Sequence, residues 1–311
     1  MTSSTPARDP RWHYDSPEEI PGLFGLERAR LVDLLGSLTS GDWARPTPCP
    51  GWSILDLCCH LLGDDLGWLA RHRDRHQPTV NTPATDEADD ASFARWLDDL
   101  QDKWVQAARR LSPHLLTDLL AWSGPQVVAG LANQDPTALK GSVSWAGPGP
   151  VPVWLDQLRE VSEQWIHRQQ LLQALGQDSD LRPDLAVPVL EGMRWAYPYR
   201  LAGVPAAPGD TATIRLTGPP SFEWHLVAGA DGWRYRPRPG TRLRATMNLA
   251  TEQAWRLLTN NLPVGEQHQL HLTGDDTVVD VLRKTRAIIG TPNWPPRQVN
   301  SQERIERPTG L

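Results

Sequence analysis

The sequence contains no long apolar run, and this absence excludes a large class of proteins. Of its 311 residues, 39% are hydrophobic and 22% charged, but no stretch approaches the roughly 20 apolar residues that a membrane-spanning helix requires. The first twenty residues, MTSSTPARDPRWHYDSPEEI, also lack the apolar core of a secretory signal. We therefore expect a soluble, cytoplasmic globular protein that begins with a polar tail over residues 1–20 and does not contact membranes.

Cysteine, lysine and net positive charge are also scarce. Cys49, Cys58 and Cys59 form neither a Cys-x-x-Cys pair nor a disulfide framework, and we expect the adjacent Cys58 and Cys59 to be small buried core residues. Arginine carries nearly all of the positive charge, a bias that, together with abundant Ala, Gly and Pro, is typical of GC-rich bacterial genomes. The chain has a net charge of −6 and so lacks the basic excess of nucleic-acid-binding proteins. We therefore expect no nucleic-acid partner.

Several catalytic signatures are missing as well. The chain has no Gly-x-Ser-x-Gly nucleophile elbow and no P-loop. GPGP at residues 147–150 is typical of a proline turn and not of a dinucleotide-binding loop. His225, His268 and His271 fall in predicted strands without a partner at ligand spacing, so we expect structural roles for them. Tryptophan, in contrast, is abundant, with 15 residues, and its indole N–H needs a partner, so several are expected to line a pocket.

The hydrophobic periodicity predicts an α-helical bundle followed by a smaller α+β domain. Helices are predicted over residues 21–40, 53–76, 92–111, 113–122 and 154–175, with Ser53 and Asp56 as a capping box and Gly176 as a C-terminal cap. Residues 126–133 form a separate apolar piece, and 77–90 and 134–150 are expected to be loops. Residues 183–201 are expected to be helical but broken at Pro188 and Pro198.

Beyond Gly203 the pattern changes to short alternating runs between Gly and Pro turns, which predict strands. The predicted strands cover residues 211–218, 222–229, 232–236, 243–249 and 267–274. Helices are predicted over residues 252–262, capped by Thr251, and 276–289. The domains are therefore expected at 21–180 and 181–290, followed by a polar tail over 291–311.

The helix over Trp154–Leu175 contains the first candidate for a functional site. Glu163 and His167 are four residues apart, so they lie above one another on one face. A carboxylate and an imidazole placed in this way can bind one divalent metal ion. The alternative is an exposed Glu–His pair on an ordinary amphipathic helix, and the metal hypothesis depends on a third ligand.

His60 is the candidate for that third ligand, because it lies in the apolar part of the second predicted helix. His72 and His76 follow three to four turns later, roughly 18–24 Å along the axis, and fit a solvated helix end. His60, Glu163 and His167 would supply two nitrogens and one oxygen. This is the pattern of a catalytic zinc that leaves a fourth position open for water or substrate.

The stretch PTPCPGWSILDLCCHLLGDDLGWL resembles the signature of the mycothiol-dependent maleylpyruvate isomerase family of the DinB-like superfamily. The matching residues are the Pro-Gly-Trp turn after Cys49, then His60, then the Glu163/His167 pair. The resemblance, over about residues 20–290, implies a DinB-like four-helix bundle that binds a divalent metal, usually zinc. It also implies a low-molecular-weight thiol as cosubstrate, mycothiol in actinobacteria. The C-terminal half is similar to the sterol-carrier-like domain that often follows in this family.

An open position on zinc would activate a bound thiol for S-transfer, or for isomerisation by addition, rotation and elimination. Asp64, one turn from His60, is the candidate orienting residue or base, with a solvated helix carboxylate as the alternative. Arg200, Arg283 and Arg286 are candidates for binding a substrate carboxylate, and each is otherwise an ordinary surface arginine. Arg168 points about 100° away from His167 on the helix and is expected to be structural.

Two other functions are compatible with the same residues. A zinc-dependent hydrolase could use metal-bound water to cleave an amide or a thiol conjugate, and it would turn over without added thiol. A non-catalytic protein could enclose an apolar ligand between the two domains, and it would bind that ligand without His60. The partners expected from the sequence are a small-molecule substrate and a thiol, with the chain a monomer or a homodimer.

Overall fold

The computed structural model of the protein describes residues 14–76 and 90–288. A helical N-terminal part is followed by a C-terminal part organised around one five-stranded sheet. The predicted loop at 77–90 lies, except for its last residue, outside the described residues. The same holds for most of the predicted N-terminal tail and for all of the tail at 291–311. Among the described helices, none combines the length and apolarity needed to span a membrane.

The predicted bundle helices are present with shifted ends. They are α1 (Ile20–Gly36), α2 (Ile54–Trp68), α3 (Asp90–Ala108), α4 (Pro113–Ala132) and α5 (Val153–Ala174). The Ser53–Asp56 capping box at the start of α2 is confirmed. Gly176, with φ +72°, follows the end of α5 in the left-handed conformation that glycine favours. A π-helical turn, Leu69–Arg73, continues α2.

Helix α4 is longer than predicted, because the separate apolar piece at 126–133 is its second half. Pro125 lies inside the helix and removes one backbone donor. The helix nevertheless continues, since Val127 and Leu131 beyond the proline are 1% exposed and join the core. The buried contacts with α1 thus outweigh the local cost of the proline.

The predicted irregular loop at 134–150 is more ordered than expected. Strand β1 (Leu139–Lys140) pairs antiparallel with β2 (Val151–Pro152). Between them a 3-10 turn at Ser144–Ala146 buries Trp145, which is 5% exposed. The hairpin leads directly into α5 and places an indole ring beside that helix.

The prediction that Pro188 breaks the next helix is wrong. Helix α6 (Pro183–Met193) runs through this residue, and α7 (Ala196–Leu201) contains Pro198. The break falls at Arg194–Trp195 instead. Helix α6 packs along α5, and burial of its apolar side offsets the missing backbone hydrogen bond.

The C-terminal part contains one sheet with strand order β5-β4-β3-β6-β7, in which only β3 and β6 are parallel. The strands are β3 (Asp210–Thr217), β4 (Phe222–Gly229), β5 (Gly232–Arg236), β6 (Arg242–Ala250) and β7 (His271–Gly274). The remaining helices are α8 (Thr251–Leu258), α9 (Val264–Gln267) and α10 (Asp276–Lys284). The last strand is shorter than predicted because α9 ends at Gln267 and residues 268–270 form a turn, so His268 lies outside any strand. Thr251 is the first residue of α8 and not its cap, which is Ala250.

Helix α5 joins the two parts of the molecule. One hydrophobic cluster continues from α1 and α5 into the sheet and α8, and the rings of Trp165 and Trp255 meet edge to face at 5.7 Å. On its bundle side, α5 packs against α1 and α2. Residues on different sides of α5 therefore face α2 and the C-terminal sheet domain.

Candidate metal centre

Helices α2 and α5 bring the three predicted ligands together. The Nε2 atom of His60 lies 3.1 Å from Nε2 of His167 and 3.3 Å from Oε1 of Glu163. The same carboxylate oxygen lies 2.9 Å from Nε2 of His167. Of the described residues, this is the cluster whose donor atoms, all within 4.8 Å of one another, could hold a metal ion. The two imidazole rings meet edge to face, with centroids 4.8 Å apart.

Too many polar atoms meet at His60 for hydrogen bonding alone to account for them. Besides Glu163 and His167, an Asp64 oxygen lies 3.2 Å from the same Nε2 atom. A ring nitrogen offers one donor or one lone pair in the ring plane, so it can form a good hydrogen bond to only one of the three. A cation bound among these atoms would interact favourably with all of them.

The donor set fits a divalent metal in both chemistry and spacing. Two ligands that bind one ion at about 2.1 Å lie roughly 3.0–3.4 Å apart for octahedral to tetrahedral angles, close to the observed 2.9–3.3 Å. Two imidazoles and one carboxylate are the ligands of several catalytic zinc sites. His60 is 7% exposed and the Glu163 side chain is 35% exposed, so solvent reaches the cluster from the carboxylate side.

The charges within the cluster are strongly coupled. Burial alone would raise the pKa of Glu163, but the His167 and His60 imidazoles hold the pKa of this carboxyl well below its usual range. Burial would likewise lower the pKa of His167, but the Glu163 carboxylate raises it well above its usual value. Both shifts favour an ionised Glu163 beside a protonated His167. A metal ion bound at Nε2 would compete with the proton there.

Three residues around His167 were missed from the sequence. The Nδ1 atom of His167 lies 2.7 Å from Oε1 of Gln170, which also accepts a hydrogen bond from Cys49 Sγ at 3.1 Å. Gln170 in turn donates to Oδ1 of Asn261 at 2.9 Å. Gln170 could have been identified, because a residue three positions after His167 shares its helix face. Asn261 lies far away in sequence, and no motif identifies it.

The expectation that Cys58 and Cys59 are buried core residues is confirmed, whereas Cys49 lies at the candidate site. Cys58 and Cys59 are fully buried in the bundle core. Cys49 is half-buried, in the Pro-Gly-Trp turn before α2, and its thiol contacts the partner of a candidate metal ligand. The turn therefore contributes to the surroundings of the site as well as starting the helix.

Asp64 lies at the site but not where an orienting residue would be. Its carboxylate reaches the Nε2 atom of His60, whereas an orienting residue would bond Nδ1, which is buried without a hydrogen-bond partner among the described residues. Gln101 of α3 donates to the other Asp64 oxygen at 3.0 Å. Burial raises the pKa of the Asp64 carboxyl, and the neighbouring His60 opposes this shift.

The three candidate arginines occupy different environments. Arg200 is exposed, with its guanidinium 5.5 Å from the ring centroid of Tyr199, and no contact links it to the metal cluster. Arg283 is half-buried, and its backbone oxygen accepts a hydrogen bond from Arg286. Arg286 is 5% exposed, so it is not the ordinary surface arginine of the alternative interpretation.

Arg286 is bound by neutral oxygens. Its guanidinium donates to two backbone carbonyls and to the side-chain oxygens of Gln267 and Asn260. Burial lowers its pKa. Within residues 14–76 and 90–288, the acceptors recorded for its guanidinium are these neutral oxygens and no carboxylate. The next two residues, Ala287 and Ile288, line a small cavity together with Glu163, whereas Arg286 itself is not among the lining residues.

That cavity, of about 20 Å³, is otherwise lined by Trp145, Arg159, Ser162 and Ile166. It is large enough for about one water molecule or one ligand oxygen. Arg159 is already paired with Asp156 and Glu160. Burial raises the pKa of Glu160 to about 7, against the effect of Arg159. The guanidinium beside the cavity is thus largely neutralised by its own helix.

Comparisons with known proteins identify similar chains. A family model described as the mycothiol maleylpyruvate isomerase N-terminal domain matches residues 24–172. A crystal structure of the mycothiol-dependent maleylpyruvate isomerase has a TM-score of 0.51 at 14% identity, covering 83% of this chain and 92% of that chain. A histidine-to-alanine mutant of such an isomerase gives a TM-score of 0.46 at 14% identity, covering 78% and 88%. No curated protein matches. The first of these structures is similar to this chain in fold.

Proposed function

We propose that the chain is a metal-dependent enzyme that activates a low-molecular-weight thiol, as the match of residues 24–172 to the model of mycothiol maleylpyruvate isomerase N-terminal domains supports. The thiol is mycothiol or a close chemical analogue, and the substrate is a small electrophile such as maleylpyruvate. The observation that carries the proposal is the convergence of His60, Glu163 and His167 donor atoms. The enzyme is expected to be cytoplasmic, with small-molecule partners.

The proposed metal ligands are the three side chains whose donor atoms meet between α2 and α5. His60, Glu163 and His167 would hold a divalent ion, with zinc the best match to two nitrogens and one oxygen. A zinc ion bound there would lower the pKa of a coordinated thiol and so supply a thiolate at neutral pH. The exposed side of Glu163 leaves room for the thiol to approach.

Asp64 is the residue placed to accept the thiol proton. Its carboxylate lies beside the donor cluster, and the hydrogen bond from Gln101 fixes its orientation. Because Asp64 contacts Nε2 and not Nδ1 of His60, we assign it proton transfer and not orientation of the imidazole. An aspartate within hydrogen-bond reach of the reacting group suits this role.

In an isomerisation, the thiol is consumed and then regenerated. The S–H proton passes to Asp64, and the sulfur forms a bond to one alkene carbon. The π electrons move onto the conjugated carbonyl oxygen, and the former double bond can rotate. Re-formation of the double bond expels the thiolate, which takes the proton back. In an S-transfer, the same attack ends with departure of a leaving group.

Arg286 is the best placed of the three arginines to bind a substrate carboxylate. It is buried, it precedes the residues that line the cavity beside Glu163, and its contacts are neutral oxygens. A cation without an anionic partner in such a site attracts a carboxylate more strongly than an exposed one. Arg200 and Arg283 are less suited to bind the substrate carboxylate. Arg200 is exposed, and among the described residues no contact is recorded between the Arg283 guanidinium and the three proposed ligands.

The decisive experiment combines metal analysis with a thiol-dependence assay. Purified wild-type protein is expected to bind about one zinc per chain, and His167→Ala to bind none under the same conditions. Zinc-loaded protein should convert maleylpyruvate to its trans isomer only when mycothiol is present. A wild-type protein unable to take up metal would overturn the proposal. Turnover of a thiol conjugate without added thiol would indicate the hydrolase instead.

A further inference from the structure

We propose that Gln170 and Asn261 are positioning residues that fix which ring nitrogen of His167 carries a proton. Asn261 follows α8, so the C-terminal sheet domain would take part in the metal site although it supplies no ligand. The inference deepens the proposed function, since it concerns a ligand of the proposed metal. It depends on the direction of a hydrogen-bond chain that runs from a backbone carbonyl to the imidazole.

The chain starts at an atom that can only accept. The backbone oxygen of Thr259 lies 3.0 Å from Nδ2 of Asn261, and the Thr259 hydroxyl lies 2.8 Å from the same nitrogen. The hydroxyl proton is used elsewhere, in a bond to the backbone oxygen of Trp255. Both Thr259 oxygens must therefore accept hydrogen bonds from the NH2 group of Asn261. This determines that its Oδ1 atom faces Gln170.

The orientation of the Asn261 amide also determines the orientation of the Gln170 amide. Since Oδ1 of Asn261 accepts, the group that faces it must be the NH2 of Gln170, at 2.9 Å. The Oε1 atom of Gln170 is left to face Nδ1 of His167, at 2.7 Å. The Cys49 thiol donates to the same oxygen. An amide oxygen cannot donate, so Nδ1 of His167 must carry a proton.

The consequence is that Nε2 of His167 is the atom available to a metal. Nε2 is the atom that faces Glu163 and His60. A ligand whose second nitrogen is held in this way keeps both its tautomer and its ring orientation. His60 lacks such support, because its buried Nδ1 has no hydrogen-bond partner in the described part of the chain. His167 is thus the pre-oriented ligand of the pair.

The test uses zinc affinity, measured by competition with a chromogenic chelator. Gln170→Leu removes the acceptor and should weaken zinc binding about 10–100-fold, the range for lost outer-shell partners. Gln170→Glu restores an acceptor for the Nδ1 proton and should recover most of that loss. Asn261→Leu allows the side-chain amide of Gln170 to flip by 180°. It should weaken zinc binding by about 10-fold, at the lower end of that range.

Gln169→Leu is the matched control. Gln169 is the neighbouring residue, is fully buried, and accepts a hydrogen bond from the Asp180 backbone instead of contacting the cluster. The substitution should lower stability and leave zinc affinity unchanged. If Gln170→Leu and Asn261→Leu bind zinc as tightly as the wild type and the Gln169→Leu control do, the inference is wrong.

A second measurement does not need the metal. In metal-free protein with ¹⁵N-labelled histidine, NMR should show a slowly exchanging Nδ1 proton for His167, assigned by its absence from His167→Gln. Asn261→Leu should broaden or remove that signal. A wild type that takes up no zinc but shows this behaviour would overturn the proposed function and support the inference. An unprotected Nδ1 proton in the wild type would overturn the inference alone.

Discussion

Two of the polar clusters on helix α5 differ in how their charges are balanced. Facing α1, Arg168 is 3% exposed and bonds Glu27 and Asp180. Every guanidinium nitrogen there has an acceptor. Facing α2, Glu163 and His167 meet His60 in a group where several acceptors converge on one ring nitrogen. The first cluster, expected from the sequence to be structural, is complete in side chains alone. The second leaves several acceptors around one ring nitrogen, an arrangement that a cation would stabilise.

The difference shows why burial of charge alone does not identify a site. Both clusters hold ionised groups away from water, which is costly unless the charges are paired. In the Arg168 cluster each charged group is paired with another side chain of the cluster, so a mutation there is predicted to lower the free energy of unfolding. In the His60 cluster the polar atoms around Nε2 are not all paired, so a mutation there is predicted to reduce metal binding.

The largest effect should come from breaking the complete cluster. Glu27→Leu leaves the buried Arg168 guanidinium with Asp180 as its remaining carboxylate and should lower the free energy of unfolding by about 3–5 kcal/mol. Urea unfolding of metal-free protein measures it. The exposed pair Arg215–Glu223 is the control, since Arg215→Gln should cost at most about 1 kcal/mol. Comparable losses for the two variants would contradict the comparison.

Zinc should stabilise the protein only through the incomplete cluster. At a free zinc concentration of 100 times Kd, binding to the folded state adds about 2.7 kcal/mol to the free energy of unfolding. Thermal unfolding with and without zinc should therefore show a higher Tm for the wild type and for Glu27→Leu. His60→Ala should show no increase. A zinc-dependent rise in His60→Ala would place the metal elsewhere in the chain.

Asp64→Asn separates metal binding from proton transfer. Asparagine keeps the size of the side chain but cannot accept the thiol proton, so thiol-dependent turnover should fall roughly 100-fold. Zinc affinity should change little, because Asp64 lies outside the three-ligand set. Steady-state kinetics and chelator competition measure the two quantities. If zinc affinity falls as far as turnover does, Asp64 is a ligand and not a base.

The sequence predicted the bundle and the three proposed ligands because their signals are local or carried by a motif. Glu163 and His167 are one helical turn apart, and His60 follows the Pro-Gly-Trp turn. The strands β4 and β5 began and ended where the alternation of side chains indicated. Each of these features depends on neighbours within a few residues of the chain.

What the sequence did not predict depends on packing between distant segments. Pro188 is compatible with helix α6 because α5 packs along it. Helix α4 continues past Pro125 because it packs against α1 and buries Val127 and Leu131 in the core. Asn261 reaches Gln170 across 91 positions. No periodicity or motif encodes a single hydrogen bond formed at that separation, although it bears on the candidate metal site.

The smallest predicted effect concerns acid and the Arg168 cluster. Arg182, which donates to Asp180, and Arg168 beside it hold the pKa of Asp180 well below its usual value. In the unfolded chain that pKa is about 3.9. The folded state thus binds the proton less readily than the unfolded chain does. The stabilisation by the Asp180 carboxylate is therefore complete above the unfolded-state pKa and is lost as the pH falls below it.

Asp180→Asn removes this dependence of stability on pH. The wild type should lose its stability advantage over Asp180→Asn between about pH 4 and pH 2, measured by urea unfolding at each pH, and Arg182→Gln should lie between them. Parallel pH profiles for the wild type and Asp180→Asn would show that Asp180 does not stabilise the cluster through its charge.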